Sequence, residues 1–118
     1  MYYKRNEAYR FVFNQPIEGK MTKREENSTV TANVHILDVS NEGAKINCKN
    51  VIDLKRDTKI NLSFILESHT FHASGKIIWT KNFHHSSEVG LHLNTDNEYK
   101  DNMIKELKKI AKQNKKKN

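Results

Sequence analysis

At 118 residues the chain has the length of one domain, and a composition of 36% hydrophobic and 30% charged residues is polar without being that of a disordered chain. The formal net charge of +7 sits at one end: residues 105–118, KELKKIAKQNKKKN, hold seven lysines against one glutamate, so everything before them sums to +1. No apolar run reaches the ~20 residues of a membrane span, no secretory leader opens the chain, and the single Cys48 excludes an internal disulfide, which together predict a cytoplasmic protein with no membrane insertion.

In chain order, Phe11 and Phe13 suggest a first strand that enters a turn near NQP and resumes around Ile17 to Thr22. Val30, Ala32, Val34 and Ile36 form one face of a second, with Thr31, Asn33 and His35 opposite. Ala44, Ile46 and Cys48 repeat the alternation. Ile60, Leu62, Phe64 and Leu66 give the cleanest apolar face, Phe71, Ala73, Gly75, Ile77 and Trp79 follow in phase, and Val89, Leu91 and Leu93 supply the last strand. The turn-like segments REENS, DVSNEG, NVIDLKRDT, ESHT and NFHHSSE separate these runs. Six short strands with short connections predict a mainly β protein, an antiparallel barrel or sandwich. No helical segment lies between strands, which argues against a parallel sheet.

The chain ends in a helix. Thr95-Asp96-Asn97-Glu98 has capping-box form, with Thr95 accepting from the amide of Glu98 while Glu98 reaches back to the cap. Tyr99, Met103, Leu107 and Ile110 then fall on one stripe, with Ile104 and Ala111 beside them, and the lysines take the other face and the C-terminal end. The spacing predicts a helix over 95–113 packed on the strands, and a disordered basic tail over 114–118. Residues 1–113 form a single domain.

Chemistry is sparse. The chain has no nucleophile elbow, no phosphate-cradling glycine loop and no zinc-protease motif. Six histidines are scattered over strand faces and loops without metal-ligand spacing, so no metal site and no cofactor are expected, and no enzyme activity. The basic tail attracts phosphates weakly and in a salt-sensitive way. Phe64, Phe71 and Trp79 fall on core-facing positions, which leaves no platform for stacking bases, so nucleic acid is not an expected partner.

Two segments carry information. In LDVSNEGAKI, residues 37–46, Asp38 and Ser40 are two apart and point the same way in extended backbone, while Gly43 restarts a strand where a positive φ or a close backbone approach is needed. Taken alone this fits a strand–turn–strand joint better than a site. The N-terminal stretch KRNEAYRFVF, residues 4–13, adds a cluster of cations just before the first strand.

In that order, and on that strand pattern, the two segments resemble the PilZ domain. DVSNEG matches the family's [D/N]-x-S-x-x-G motif, and KRNEAYR lies where the family carries R-x-x-x-R. GKIIW, residues 75–79, and EVGLHL, residues 88–93, look like its last two strands. The resemblance implies a six-stranded antiparallel β-barrel with one C-terminal α-helix, and cyclic di-GMP as the ligand. Arginine suits that dianion, because its planar fork grips a phosphate or the guanine O6/N7 edge bidentately. On this reading Arg10 is the main clamp and Arg5 an auxiliary. Asp38 and Ser40 read the base, Gly43 allows close approach, and residues 1–10 form a mobile segment that wraps over the ligand. The chain departs from the family at Asn6, which stands where the first arginine of the motif belongs; asparagine contacts a base edge but neutralises no phosphate. The implied function is a non-enzymatic receptor that acts through an unidentified protein partner in bacterial motility, adhesion or biofilm control. The alternative is a degenerate barrel that has lost the ligand and serves as a protein-interaction module.

Overall fold

Alternating apolar residues build six strands, and the computed structural model describes them over residues 10–24, 27–49 and 54–116. They are β1 (Arg10–Arg24), β2 (Thr29–Ser40), β3 (Gly43–Cys48), β4 (Lys59–Leu66), β5 (His69–Asn82) and β6 (Ser87–Asn94), followed by α1 (Asn97–Lys116). All neighbours pair antiparallel in the order β1-β2-β3-β6-β5-β4, and β4 returns to β1 through pairs from Gly19↔Phe64 to Lys23↔Ile60. The sheet is therefore a closed barrel, which decides between the barrel and sandwich readings.

The predicted apolar faces point inward. Met21, Val34, Ile36, Ile46, Leu62, Leu66, Ile77 and Leu93 are each no more than 2% exposed, and Cys48 is buried with them, outside any disulfide. Side chains fill the interior, as in other barrels of this strand number. Phe64 and Phe71 stack at 5.3 Å, and Phe71 meets the edge of Tyr99 at 5.3 Å, which ties α1 to the barrel wall.

Three departures from strict alternation shape the outer surface. First, β1 is one strand and not two. Its register slips between Val12 and Ile17, where β1 advances five residues against two in β2 (Val12↔Asp38, Ile17↔Ile36). Pro16, which has no N–H to donate to a ladder, lies in this bulge, so the NQP segment kinks the strand without ending it. Second, β2 carries one extra residue against β3 at Leu37, because Ile36 pairs with Ile46 but Asp38 pairs with Lys45. Third, β5 carries one extra residue at Ile78, because Ile77 pairs with Leu91 but Trp79 pairs with Gly90. Each bulge reverses which face the following side chain takes.

The third bulge corrects the sequence reading of Trp79. In phase with Phe71 and Ile77 it should be core; displaced by Ile78, it is 39% exposed on the outer wall. The start of α1 is also corrected by one residue. Asp96, not Thr95, is the cap: its Oδ1 accepts the Tyr99 amide at 2.8 Å, while the Thr95 hydroxyl donates to the Asn41 carbonyl at 3.0 Å. The stripe of α1 also differs in detail. Tyr99, Met103 and Leu107 are buried as predicted, but Ile104 is 46% exposed and Glu106 turns inward at 4%. Helical backbone continues to Lys116.

Candidate ligand-binding face

The bulge at Leu37 makes the site. By simple alternation Asp38 would follow Val34 and Ile36 into the core; the extra residue turns it onto the outer wall, and Val39 takes the inward place opposite Ala44. Asp38 is then flanked on both sides. Val12 of β1 and Lys45 of β3 lie directly across from it, and Gly90 of β6 and Trp79 of β5 continue the same row. The neighbouring row on this face runs Arg10, Ser40, Gly43, His92, Lys76. Both rows follow the curve of the closed barrel through five of its six strands, with Asp38 and Lys45 on adjacent strands.

The electrostatics of this face centre on Asp38. The Arg10 guanidinium donates from Nη1 to Asp38 Oδ1 at 2.7 Å, and Lys45 Nζ lies 3.6 Å from Oδ2. Asp38 is buried at 2% while Arg10 keeps more than half of its side chain in solvent. The first contact is a short charge-assisted bond, and the second is an ion pair too long for a direct hydrogen bond. The three formal charges leave one net positive charge here.

Gly43 holds the rows together. Its φ is not positive. Its requirement is close approach, since a Cβ there would lie 2.9 Å from the Leu91 carbonyl oxygen and 3.3 Å from Ser40 Oγ. Gly90 serves the indole in the same way: a Cβ on it would fall within the Trp79 ring system, so the ring rests against bare backbone.

The structure thus brings together four of the sequence-derived candidates, Arg10, Asp38, Ser40 and Gly43, on one wall of the barrel. Arg10 is the first residue of β1, paired with Ser40. Arg5 and Asn6 lie outside the described residues. Sequence reasoning missed Lys45 and Trp79 as members of the face. Lys45 is legible in hindsight as the outward residue of AKI, but only the register shows that it meets Asp38. The two adjacent isoleucines of GKIIW were the signal that the alternation breaks before Trp79. A surface groove lined by Pro16, Glu18, Lys20, His35, Ser63 and His72 lies elsewhere on the wall and contains none of these candidates. Among the described residues no cluster of His, Cys, Asp or Glu forms a metal-binding group, and no helix is long and apolar enough to cross a membrane.

A closed, helix-bearing six-stranded barrel with a D-x-S-x-x-G turn on its wall defines a narrow class of β-barrel domain. The chain belongs to the PilZ domain family, whose model matches residues 4–109. Among solved structures it is similar to YcgR from Escherichia coli, crystallised in complex with c-di-GMP, with a TM-score of 0.60 at 14% sequence identity. That match covers 92% of this chain and 48% of YcgR, so this chain spans about half the length of that protein. No curated protein matches the chain in sequence.

Proposed function

We propose that this protein is a non-enzymatic receptor for cyclic di-GMP. The observation that carries the reading is the Arg10–Asp38–Lys45 array on the outer wall of the barrel, in a chain of the PilZ family. Each group has chemistry that the ligand uses. Asp38 accepts from guanine N1–H and the exocyclic amine. Arg10, already more than half exposed, swings from Asp38 to a phosphate or to guanine O6/N7. Asp38 is not left bare by that exchange, because the guanine donors replace the guanidinium as the ligand enters. Ser40 bonds a base edge or a phosphate, and the exposed indole of Trp79 offers a purine a stacking surface.

Output follows from the position of Arg10 at the head of β1. Moving Arg10 onto the ligand draws residues 1–9, with Arg5 and Asn6, over the face, and the ordered segment then makes or masks a docking surface for a protein partner. The second reading, a protein-interaction module without ligand, rests on one observation: Arg10 and Asp38 already satisfy each other.

Calorimetric titration with cyclic di-GMP separates the two. The receptor reading expects binding by the wild type and a loss of about tenfold or more for Arg10→Ala and for Asp38→Ala, the scale of one charged hydrogen bond. A wild type that gives no heat at tens of micromolar ligand would leave the interaction module as the function.

A further inference from the structure

Lys45 has no place in either sequence motif, yet it stands in the middle of the face. It lies directly across from Asp38 in the β2–β3 register, with Nζ 3.6 Å from Oδ2, and its side chain is one-third exposed. On its other side the row continues to Gly90, which carries no side chain to cover it, and then to Trp79. A ligand that meets Asp38 through a base edge therefore lies beside this ammonium. The sequence supplies the complementary fact. The N-terminal stretch holds Asn6, which carries no charge, where the family motif has its first arginine, so Arg5 is the one arginine left beside that position.

We infer that Lys45 is a ligand-binding cation of this face, fixed on the barrel, and that it supplies the phosphate-neutralising charge absent at Asn6. The inference rests on the receptor reading. The clamp is then split between two elements: Arg10 at the head of β1 moves, and Lys45 on β3 stays. A cation held on a strand loses little freedom when it binds. The ammonium acts as a point charge and does not read the base, so its contribution is screened by salt.

The test is titration with cyclic di-GMP at low and high ionic strength of the wild type, Lys45→Met, Lys45→Arg, Asn6→Arg and the double variant Asn6→Arg/Lys45→Met, with thermal midpoints recorded for each. Lys45→Met is expected to bind about tenfold more weakly and with a flatter salt dependence. Lys45→Arg should stay near wild type, and Asn6→Arg should restore most of what Lys45→Met loses. Lys45→Met binding within about twofold of wild type, with an unchanged salt dependence, would overturn the role of Lys45 while Arg10→Ala and Asp38→Ala still report on the site. A weakened Lys45→Met that Asn6→Arg does not rescue would overturn the substitution of one cation for the other. Absence of binding by the wild type would remove the receptor reading itself.

Discussion

Arg10 donates to Asp38 across 2.7 Å, joining a guanidinium that is more than half exposed to a carboxylate that is 3% exposed. The pair is asymmetric, and that asymmetry has a measurable consequence. Removing Asp38 leaves two cations that water can rehydrate. Removing Arg10 leaves a buried carboxylate whose remaining cation among the described residues, Lys45, is too distant for a hydrogen bond. Without ligand, Arg10→Ala should therefore cost about 1–2 kcal/mol of stability and Asp38→Ala less than about 1 kcal/mol. Urea unfolding of the two variants checks the order; an Asp38→Ala variant that is the less stable of the two would mean that Arg10 contributes little to holding the carboxylate.

Trp79 is the one tryptophan of the chain and lies on the same row of the outer wall as Asp38. Its emission therefore reports on the outer wall at Gly90, two strands along the row from Lys45's neighbour Asp38. Cyclic di-GMP should change the intensity or wavelength of that emission in a saturable way, and Asp38→Ala should remove the response at the same ligand concentration. Gly90→Ala should shift the emission without any ligand, because the new methyl occupies the place of the indole and drives the ring outward. An unchanged spectrum for Gly90→Ala would show that the ring does not rest on that backbone.

The N-terminus of α1 discriminates between two adjacent residues. Asp96 Oδ1 accepts the Tyr99 amide, and Thr95 instead bridges to the carbonyl of Asn41 in the β2–β3 turn. Asp96→Ala should lower stability by about 1 kcal/mol, the usual value of a lost N-cap. Thr95→Ala should cost less, about 0.5 kcal/mol, for one exposed hydroxyl bond. Chemical denaturation of both variants measures the order, and the reverse order would restore the capping-box reading of Thr95.

That one-residue error shows where the sequence is legible and where it is not. Alternation of apolar residues located all six strands, because burial of one face is a strong and regular signal. It failed wherever an extra residue entered a strand. Leu37 and Ile78 look like ordinary strand residues, and their bulges exist only relative to the partner strands β3 and β6. Asp38 could be chosen from its motif, but its neighbours could not. Lys45 and Trp79 join it through cross-strand register, which a single sequence does not contain. Thr95 and Asp96 are both good caps, and which one serves depends on whether Asn41 is near enough to take the other. Glu106 shows the same limit: by composition it belongs on the lysine face, yet it lies at 4% exposure with Oε2 held 3.4 Å from Lys109 Nζ and Oε1 without a hydrogen-bond partner.

Tyr99 gives the prediction with the clearest sign. Its ring packs edge-on against Phe71, and its hydroxyl is buried without a hydrogen-bond partner. Burial disfavours the phenolate and pushes the ionisation of this group well above the ordinary tyrosine value. In the unfolded chain the phenol loses its proton near pH ~10, whereas in the folded chain it keeps it, so above that pH the unfolded state binds fewer protons. Stability from this group is therefore complete below pH ~10 and falls as the pH rises beyond it, by as much as about 1.4 kcal/mol per unit. Tyr99→Phe keeps the aromatic packing and removes both the orphaned hydroxyl and the titration. At neutral pH the variant should match or exceed the wild type by up to about 1 kcal/mol, since no bond is lost and a buried polar atom is removed. Urea unfolding of both proteins between about pH 8 and 11 tests this, with the lysines common to both cancelling in the difference. The gap in favour of Tyr99→Phe should widen above pH ~10, and a gap that stays constant across that range would mean that the hydroxyl reaches water or a partner in solution.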